Sequence, residues 1–289
     1  MTSVWLAAMR PRTWPASLVP VAVGLAVAGH YARLDLVIGG LTILSALALQ
    51  IATNLANDCF DAASGVDQGV RLGPPRATQS GLLAPRSVAC AAYSALAVAA
   101  AAGVPLILRG GLPIATTGIL SMIAALAYSG GPLPLASLGL GEALALVFFG
   151  LVAVSGTVFL QIADVPISAL LAGAALGCYA AAIMLVNNLR DIPTDAPAGK
   201  RTLAVRIGDR RARHVYRALL AASLVAVLAL ALVLRSIGPL LAMGVAPMAR
   251  REAQHVFERH GTALNESLAA TARLELVFGA LIVLGLVLA

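Results

Sequence analysis

Apolar stretches long enough to span a bilayer recur along this chain, near residues 14–31, 36–57, 87–108, 112–128, 138–162, 166–189, 215–234 and 268–289, with a shorter one at 236–249. A helix needs about 17–25 apolar residues to cross the hydrocarbon core. A backbone in lipid must also satisfy its own polar groups, so only helical bundles and closed barrels are admissible. Composition separates the two. The 289 residues are 60% hydrophobic and 11% charged but only 4% aromatic, with a mean hydropathy of +0.91. Barrel strands carry aromatic girdles, whereas the Gly and Ala here, as in GAALG at 173–177, suit helices packed through small side chains. The expected fold is all-α, a single integral membrane domain over 1–289 built as a bundle of nine transmembrane helices. Arg10 and Arg12 before an apolar run imitate a signal peptide, but further spans follow, so the first helix is read as retained.

The formal net charge of +7 would suggest nucleic acid or an acidic surface on a soluble chain. Topology explains it better. With a cytoplasmic N-terminus, residues 1–13, 58–86, 129–137, 190–214 and 250–267 lie inside. Every Lys and Arg then falls on that side or at an inner helix end, except Arg33, Arg109 and Arg235. Without a span at 236–249, Arg250, Arg251, Arg259 and Arg273 would move outside and weaken the bias, so nine helices are kept. The expectation is a multi-pass protein of the inner (cell) membrane with no nucleic-acid partner. Cys59, Cys90 and Cys178 are scattered and odd in number, which fits neither a disulfide framework nor a zinc site.

Acidic residues stand out against this background. NLANDCFD (54–61) closes the second stretch and NNLRDIPTD (187–195) closes the sixth, on the same membrane face, and both begin Asn-x-x-x-Asp. On a helix, Asn54, Asp58 and Asp61 fall at i, i+4 and i+7, and Asn187, Asp191 and Asp195 at i, i+4 and i+8, so each set lines one face. Pro193 disturbs the last turn before Asp195, and Asp67 lies in the loop beyond Gly65. A single Asp just past a helix is ordinarily a cap or a solvated acid. Two matched sets near a bilayer repel themselves unless neutralised, and a hard divalent cation does that. Magnesium suits carboxylate oxygens and completes its shell with phosphate and water. Arg71, Arg76 and Arg86 follow the first set, and Arg190, Lys200 and Arg201 accompany the second. Each basic residue alone is explained by topology, while Arg76, Lys200 and Arg201 beside the acids also suit a bound diphosphate.

These residues resemble a known family. NDCFD with RLGPPRATQSGLL, then NNLRDIPTDAPAGKRTLAVRIG, is similar to the UbiA superfamily of intramembrane prenyltransferases. The resemblance extends over nearly the whole chain, through RPRTWPAS (10–17), YSGGPLPLASLGLGE (128–142), SGTVFLQ (155–161) and ATARLELVFG (270–279). GPPRATQSG and RDIPTDAPAGKRTLA select the branch that prenylates 1,4-dihydroxy-2-naphthoate over the hydroxybenzoate branch. Two departures are visible: Cys59 replaces an aromatic residue, and Asp67 stands farther from Asp61 than the usual four-residue step.

The resemblance implies a polyprenyl diphosphate whose head sits between the motifs and whose tail lies in an apolar groove open to membrane lipids. Magnesium would be held by Asn54, Asp58, Asp61, Asp67, Asn187, Asp191 and Asp195. Arg12, Arg71, Arg76, Lys200 and Arg201 would bind the diphosphate. The implied reaction moves the prenyl group to 1,4-dihydroxy-2-naphthoate with loss of CO2 and diphosphate, giving demethylmenaquinone for menaquinone biosynthesis. Tyr128 is either a cation stabiliser through its ring face or an interfacial aromatic. Glu142 reads as a helix-start carboxylate, Gln161 as the mark of an outer helix end and His214 as a surface residue. Residues 250–261 are an amphipathic lid or a connecting loop. Two rivals stand beside this reading. One is a related enzyme with another acceptor, such as 4-hydroxybenzoate or homogentisate. The other is a cation transporter, which usually places its acids near the midplane.

Overall fold

The computed structural model describes residues 2–64, 72, 77–78, 80–128, 130 and 134–288. No β-strand occurs among them. A short helix, α1 (Thr2–Met9), turns at Arg10, where φ is +51°, through a 3-10 turn over Pro11–Thr13 into α2 (Pro15–Gly29). Proline at the start of both the turn and α2 occupies the one place in a helix where a missing N–H costs nothing. Next comes α3 (Leu36–Ser64), whose N-terminus is capped by Asp35 Oδ1 accepting from the amides of Val37 and Ile38 at 3.1 Å each. Gln161 braces this end reciprocally, accepting from the Asp35 N–H at 2.8 Å and donating to its carbonyl at 3.1 Å.

The 43-residue α4 (Pro85–Ala127) is two helices joined at Gly111, whose φ of +64° only glycine adopts freely. Then α5 (Gly141–Ala145) continues through a π-helical stretch, Leu146–Val152, into α6 (Ala153–Ile162), forming one span. The most buried span is α7 (Ile167–Asp195). After it come the short α8 (Leu203–Ile207), capped by Thr202, and α9 (Asp209–Leu234). A 3-10 stretch over Gly238–Val245 leads into α10 (Ala246–Glu258), and α11 (Leu264–Leu288) closes the chain.

Six of these spans are long and apolar enough to cross a membrane, and α2 is a shorter apolar helix. Counting α4 as two at Gly111 and adding the 3-10/α10 segment makes nine segments among the described residues. That segment runs the length of α9. Its start lies against the end of α11, where a Cβ on Gly285 would meet the Gly238 carbonyl at 1.9 Å. Its far end lies at the start of α9, where Arg213 donates to the carbonyls of Val256 and Arg259. The 3-10 winding rises about 2.0 Å per residue against 1.5 Å for an α-helix, so a short apolar run covers extra depth. The expected span at 236–249 is therefore present but continues as far as Glu258. Residues 250–258 are helical and docked, with Ala249, Glu252, Ala253 and Val256 buried along one stripe. His214 and Arg217 of α9 pack on the Phe257 ring, the guanidinium 4.4 Å from its centre.

The core centres on α7, whose Leu176, Tyr179, Ala182, Leu185 and Val186 are fully buried and pack with α2, α6, α9 and α11. Glycines permit the closest approach. A Cβ on Gly150 would lie 2.4 Å from both the Gly173 carbonyl and Gly177 Cα, so the π-helical stretch and α7 touch backbone to backbone. By contrast, α3 packs with α4 around a smaller cluster of Leu55, Ala56, Val88 and Ala92. The outer faces are apolar, as at Leu108, Leu112, Leu232 and Ile237, each at least 72% exposed. These are surfaces for lipid.

Candidate active site

The two acidic sets lie on the terminal turns of α3 and α7. In each case the helix runs on past the apolar stretch, so the polar residues stay helical. On α3, Asn54 and Asp58 are one turn apart and 4% and 2% exposed. Asn54 Nδ2 donates to Thr13 Oγ1 at 2.9 Å and to the Met9 carbonyl at 3.1 Å, while Gln50 Nε2 donates to the same hydroxyl at 3.2 Å. The hydroxyl in turn donates to the Arg10 carbonyl at 2.9 Å, which uses its full capacity. This network ties the Pro11–Thr13 turn to α3 and carries the exposed Arg12 to the first set.

Asp58 Oδ1 is buried without a hydrogen-bond partner among the described residues. Such an atom is costly unless a cation or donor meets it. Hard oxygen donors of this kind fit magnesium. Asp61 continues α3, but its side chain lies outside the described residues, as do Asp67, Arg71 and Arg76. Among the described residues, no group of three or more His, Cys, Asp or Glu side chains is placed to hold a metal ion. Cys59 packs toward the start of α4, its Sγ 3.7 Å from the Pro85 carbonyl.

On α7 the second set is held by Arg190, only 3% exposed. Its Nε and Nη2 donate to the two oxygens of Asp191 at 2.7 and 2.6 Å, a bidentate pair. Nη2 also donates to Asn187 Oδ1 at 2.9 Å, and Nη1 to Asn265 Oδ1 at 2.7 Å. Asn265 then donates to the Leu72 carbonyl at 2.9 Å, in the segment that follows the first set. Asp195 pairs with Lys200 Nζ at 3.6 Å, and the Lys200 amide donates to the Asp195 carbonyl at 3.0 Å. Arg201 is fixed by its backbone, donating to the Ser137 carbonyl and accepting from Arg206, with its side chain exposed.

Tyr128 lies between the helices that carry the two sets. Its hydroxyl donates to Met184 Sδ of α7 at 2.9 Å, and two residues on, a Cβ on Gly130 would meet the Phe60 ring of α3 at 2.8 Å. Gly141 lies beside the Tyr128 hydroxyl, and the next residue, Glu142, is 5% exposed and accepts from Asn188 Nδ2 at 2.9 Å. The carboxylate read as a helix-start group does stand in the first turn of α5, and it is also a buried partner of the second motif. Asn265 and the Arg190 clamp are site features that sequence reasoning missed. No spacing rule links residues 75 positions apart.

Fold and site together define an integral membrane protein of the helical-bundle class, with two oxygen-donor sets and their counter-charges at one end. The chain belongs to the UbiA prenyltransferase family, whose profile matches residues 17–287. It is 39% identical to the 1,4-dihydroxy-2-naphthoate octaprenyltransferase of Mycobacterium tuberculosis over 89% of this chain and 87% of that protein. It is 34% identical to the Escherichia coli protein of the same name over 99% of this chain and 96% of the other. In fold it is similar to a UbiA homologue from Aeropyrum pernix, with a TM-score of 0.69 at 20% identity over 92% of this chain and 96% of that one. An Archaeoglobus fulgidus UbiA homologue bound to DMAPP and Mg2+ superimposes with a TM-score of 0.62 at 18% identity, over 97% and 99% of the two chains.

Proposed function

We propose that this protein transfers a polyprenyl group from polyprenyl diphosphate to 1,4-dihydroxy-2-naphthoate, releasing CO2 and diphosphate and giving the reduced, hydroquinone form of demethylmenaquinone. The observation that carries this reading is 34–39% identity to naphthoate octaprenyltransferases over most of the chain. The donor sets on α3 and α7 support it independently. Asn54, Asp58, Asp61, Asp67, Asn187, Asp191 and Asp195 would hold magnesium, consistent with the orphaned oxygen on Asp58. Magnesium, when bound, neutralises the diphosphate and makes it a better leaving group.

The other work falls to the chain's own groups. Arg12, Arg71, Arg76, Lys200 and Arg201 bind the diphosphate and stabilise its charge as the C–O bond to the prenyl carbon breaks. Tyr128 offers its ring face to the allylic cation that develops. The apolar surroundings exclude water that would quench it. The electron-rich ring then bonds to the prenyl carbon, which takes the place of the departing carboxylate. Positive-inside charge supports placement in the cell membrane with the site and the N-terminus cytoplasmic.

The test incubates purified protein in detergent with magnesium, a long-chain prenyl diphosphate and a mixture of 1,4-dihydroxy-2-naphthoate, 4-hydroxybenzoate and homogentisate. A naphthoate product lacking the mass of CO2 is expected. Exclusive prenylation of 4-hydroxybenzoate with its carboxylate retained would overturn the choice of acceptor.

A further inference from the structure

In the second acidic set, the two oxygens of Asp191 and the carbonyl oxygen of Asn187 are all taken by one buried guanidinium. These are oxygens that a divalent cation would need. Arg190 is held there from behind by Asn265, which reaches on to the Leu72 carbonyl beyond the first set. A divalent metal chelated by both oxygens of Asp191 needs the lone pairs that the guanidinium fork occupies, one on each oxygen, and the two positive charges repel.

We propose that Arg190 is a built-in stand-in for the metal: it neutralises Asp191 when no cation is bound, and it gives up at least one Asp191 oxygen when a cation chelates the carboxylate. The released guanidinium stays within the site, where a planar fork suits the oxygens of a diphosphate. Metal entry is thereby coupled to arrival of the anionic substrate, and through Asn265 to the segment around Leu72. This inference rests on the magnesium-dependent reading above.

The experiment measures binding of Mn2+, by electron paramagnetic resonance of the free ion, to full-length protein in detergent without any diphosphate. Arg190→Gln is expected to bind Mn2+ about tenfold more tightly than the wild type. Arg211→Gln, which removes the same charge at an exposed position of α9 outside the clamp, is expected to change the affinity less than about twofold. Asn265→Ala, which keeps the charge but loosens the guanidinium, is expected to tighten binding about threefold, and it serves if Arg190→Gln does not fold. Equal Mn2+ affinity in wild type, Arg190→Gln and Asn265→Ala would overturn the stand-in role while leaving the metal site intact. An equal gain in Arg211→Gln would also overturn it, by showing only a general charge effect. Absence of Mn2+ binding in every variant would overturn the metal reading and this inference together.

Discussion

Asn54 of α3 and Thr13 of the N-terminal turn are joined by a 2.9 Å hydrogen bond, which makes the first acidic motif a structural partner of the segment that carries Arg12. Thr13→Val removes an acceptor shared by Asn54 and Gln50 and leaves two buried amides short of a partner. It is expected to cost about 1–3 kcal/mol and to raise the KM for prenyl diphosphate more than it lowers kcat. Thr13→Ser restores the hydroxyl and should restore both. Thermal unfolding in detergent and steady-state kinetics measure this; a Val variant with wild-type KM would separate the turn from substrate binding.

Asp58 and Asp191 are the carboxylates on which the proposed metal sites of the two motifs rest. Asp58→Ala and Asp191→Ala are each expected to lower magnesium-dependent prenyl transfer by about a hundredfold or more, with helical content and membrane insertion unchanged. Substantial turnover in both variants would count against the proposed reaction. Circular dichroism and gel filtration establish that the fold is retained.

Gly150 and Gly156 make a matched pair of probes. A side chain at Gly150 collides with the backbone of α7, whereas a Cβ at Gly156 meets nothing within 4 Å. Gly150→Val is expected to destabilise the protein by about 1–3 kcal/mol or more through overpacking, and Gly156→Ala to be close to neutral. The comparison is read from the yield of monodisperse protein and its Tm.

Glu275 of α11 is 1% exposed, and both of its carboxyl oxygens lack a hydrogen-bond partner among the described residues. Replacing an unsatisfied buried polar group with an apolar one of similar shape is neutral or stabilising. Glu275→Met is therefore expected to raise Tm by a few degrees with turnover retained. A lower Tm would mean that the carboxyl has a partner.

Much of the bundle is legible from hydropathy because most spans are apolar throughout. The break at Gly110–Gly111 is visible for the same reason, since two glycines interrupt one long apolar run. Hydropathy misplaces the ends of α3 and α7, because polar residues that stay on the helix look like loop. It also loses the far half of the eighth segment, where Ala249, Glu252, Ala253 and Val256 mark a helix by their period rather than by apolarity. At the site, the residues of the two motifs are readable from spacing. What holds them is not. Arg190 stands inside the second motif yet binds its neighbours, and Asn265 joins through folding alone. Asp61, Asp67, Arg71 and Arg76 keep their proposed roles on resemblance and position.

The tightly wound stretch at Gly238–Val245 and the charged helix that follows it have a bearing on biogenesis. With Arg250, Arg251, Glu252, His255 and Glu258 in its second half, this segment is poorly suited to partition from a translocon by itself, since each central charge costs about 2.5–3.5 kcal/mol on the insertion scale. Its arginine anchor, Arg213, belongs to the preceding span, and its glycine seat, Gly285, to the one after. The last three crossings are thus expected to enter the bilayer as one cooperative hairpin assembly, and truncation before α11 should strand the eighth crossing outside it.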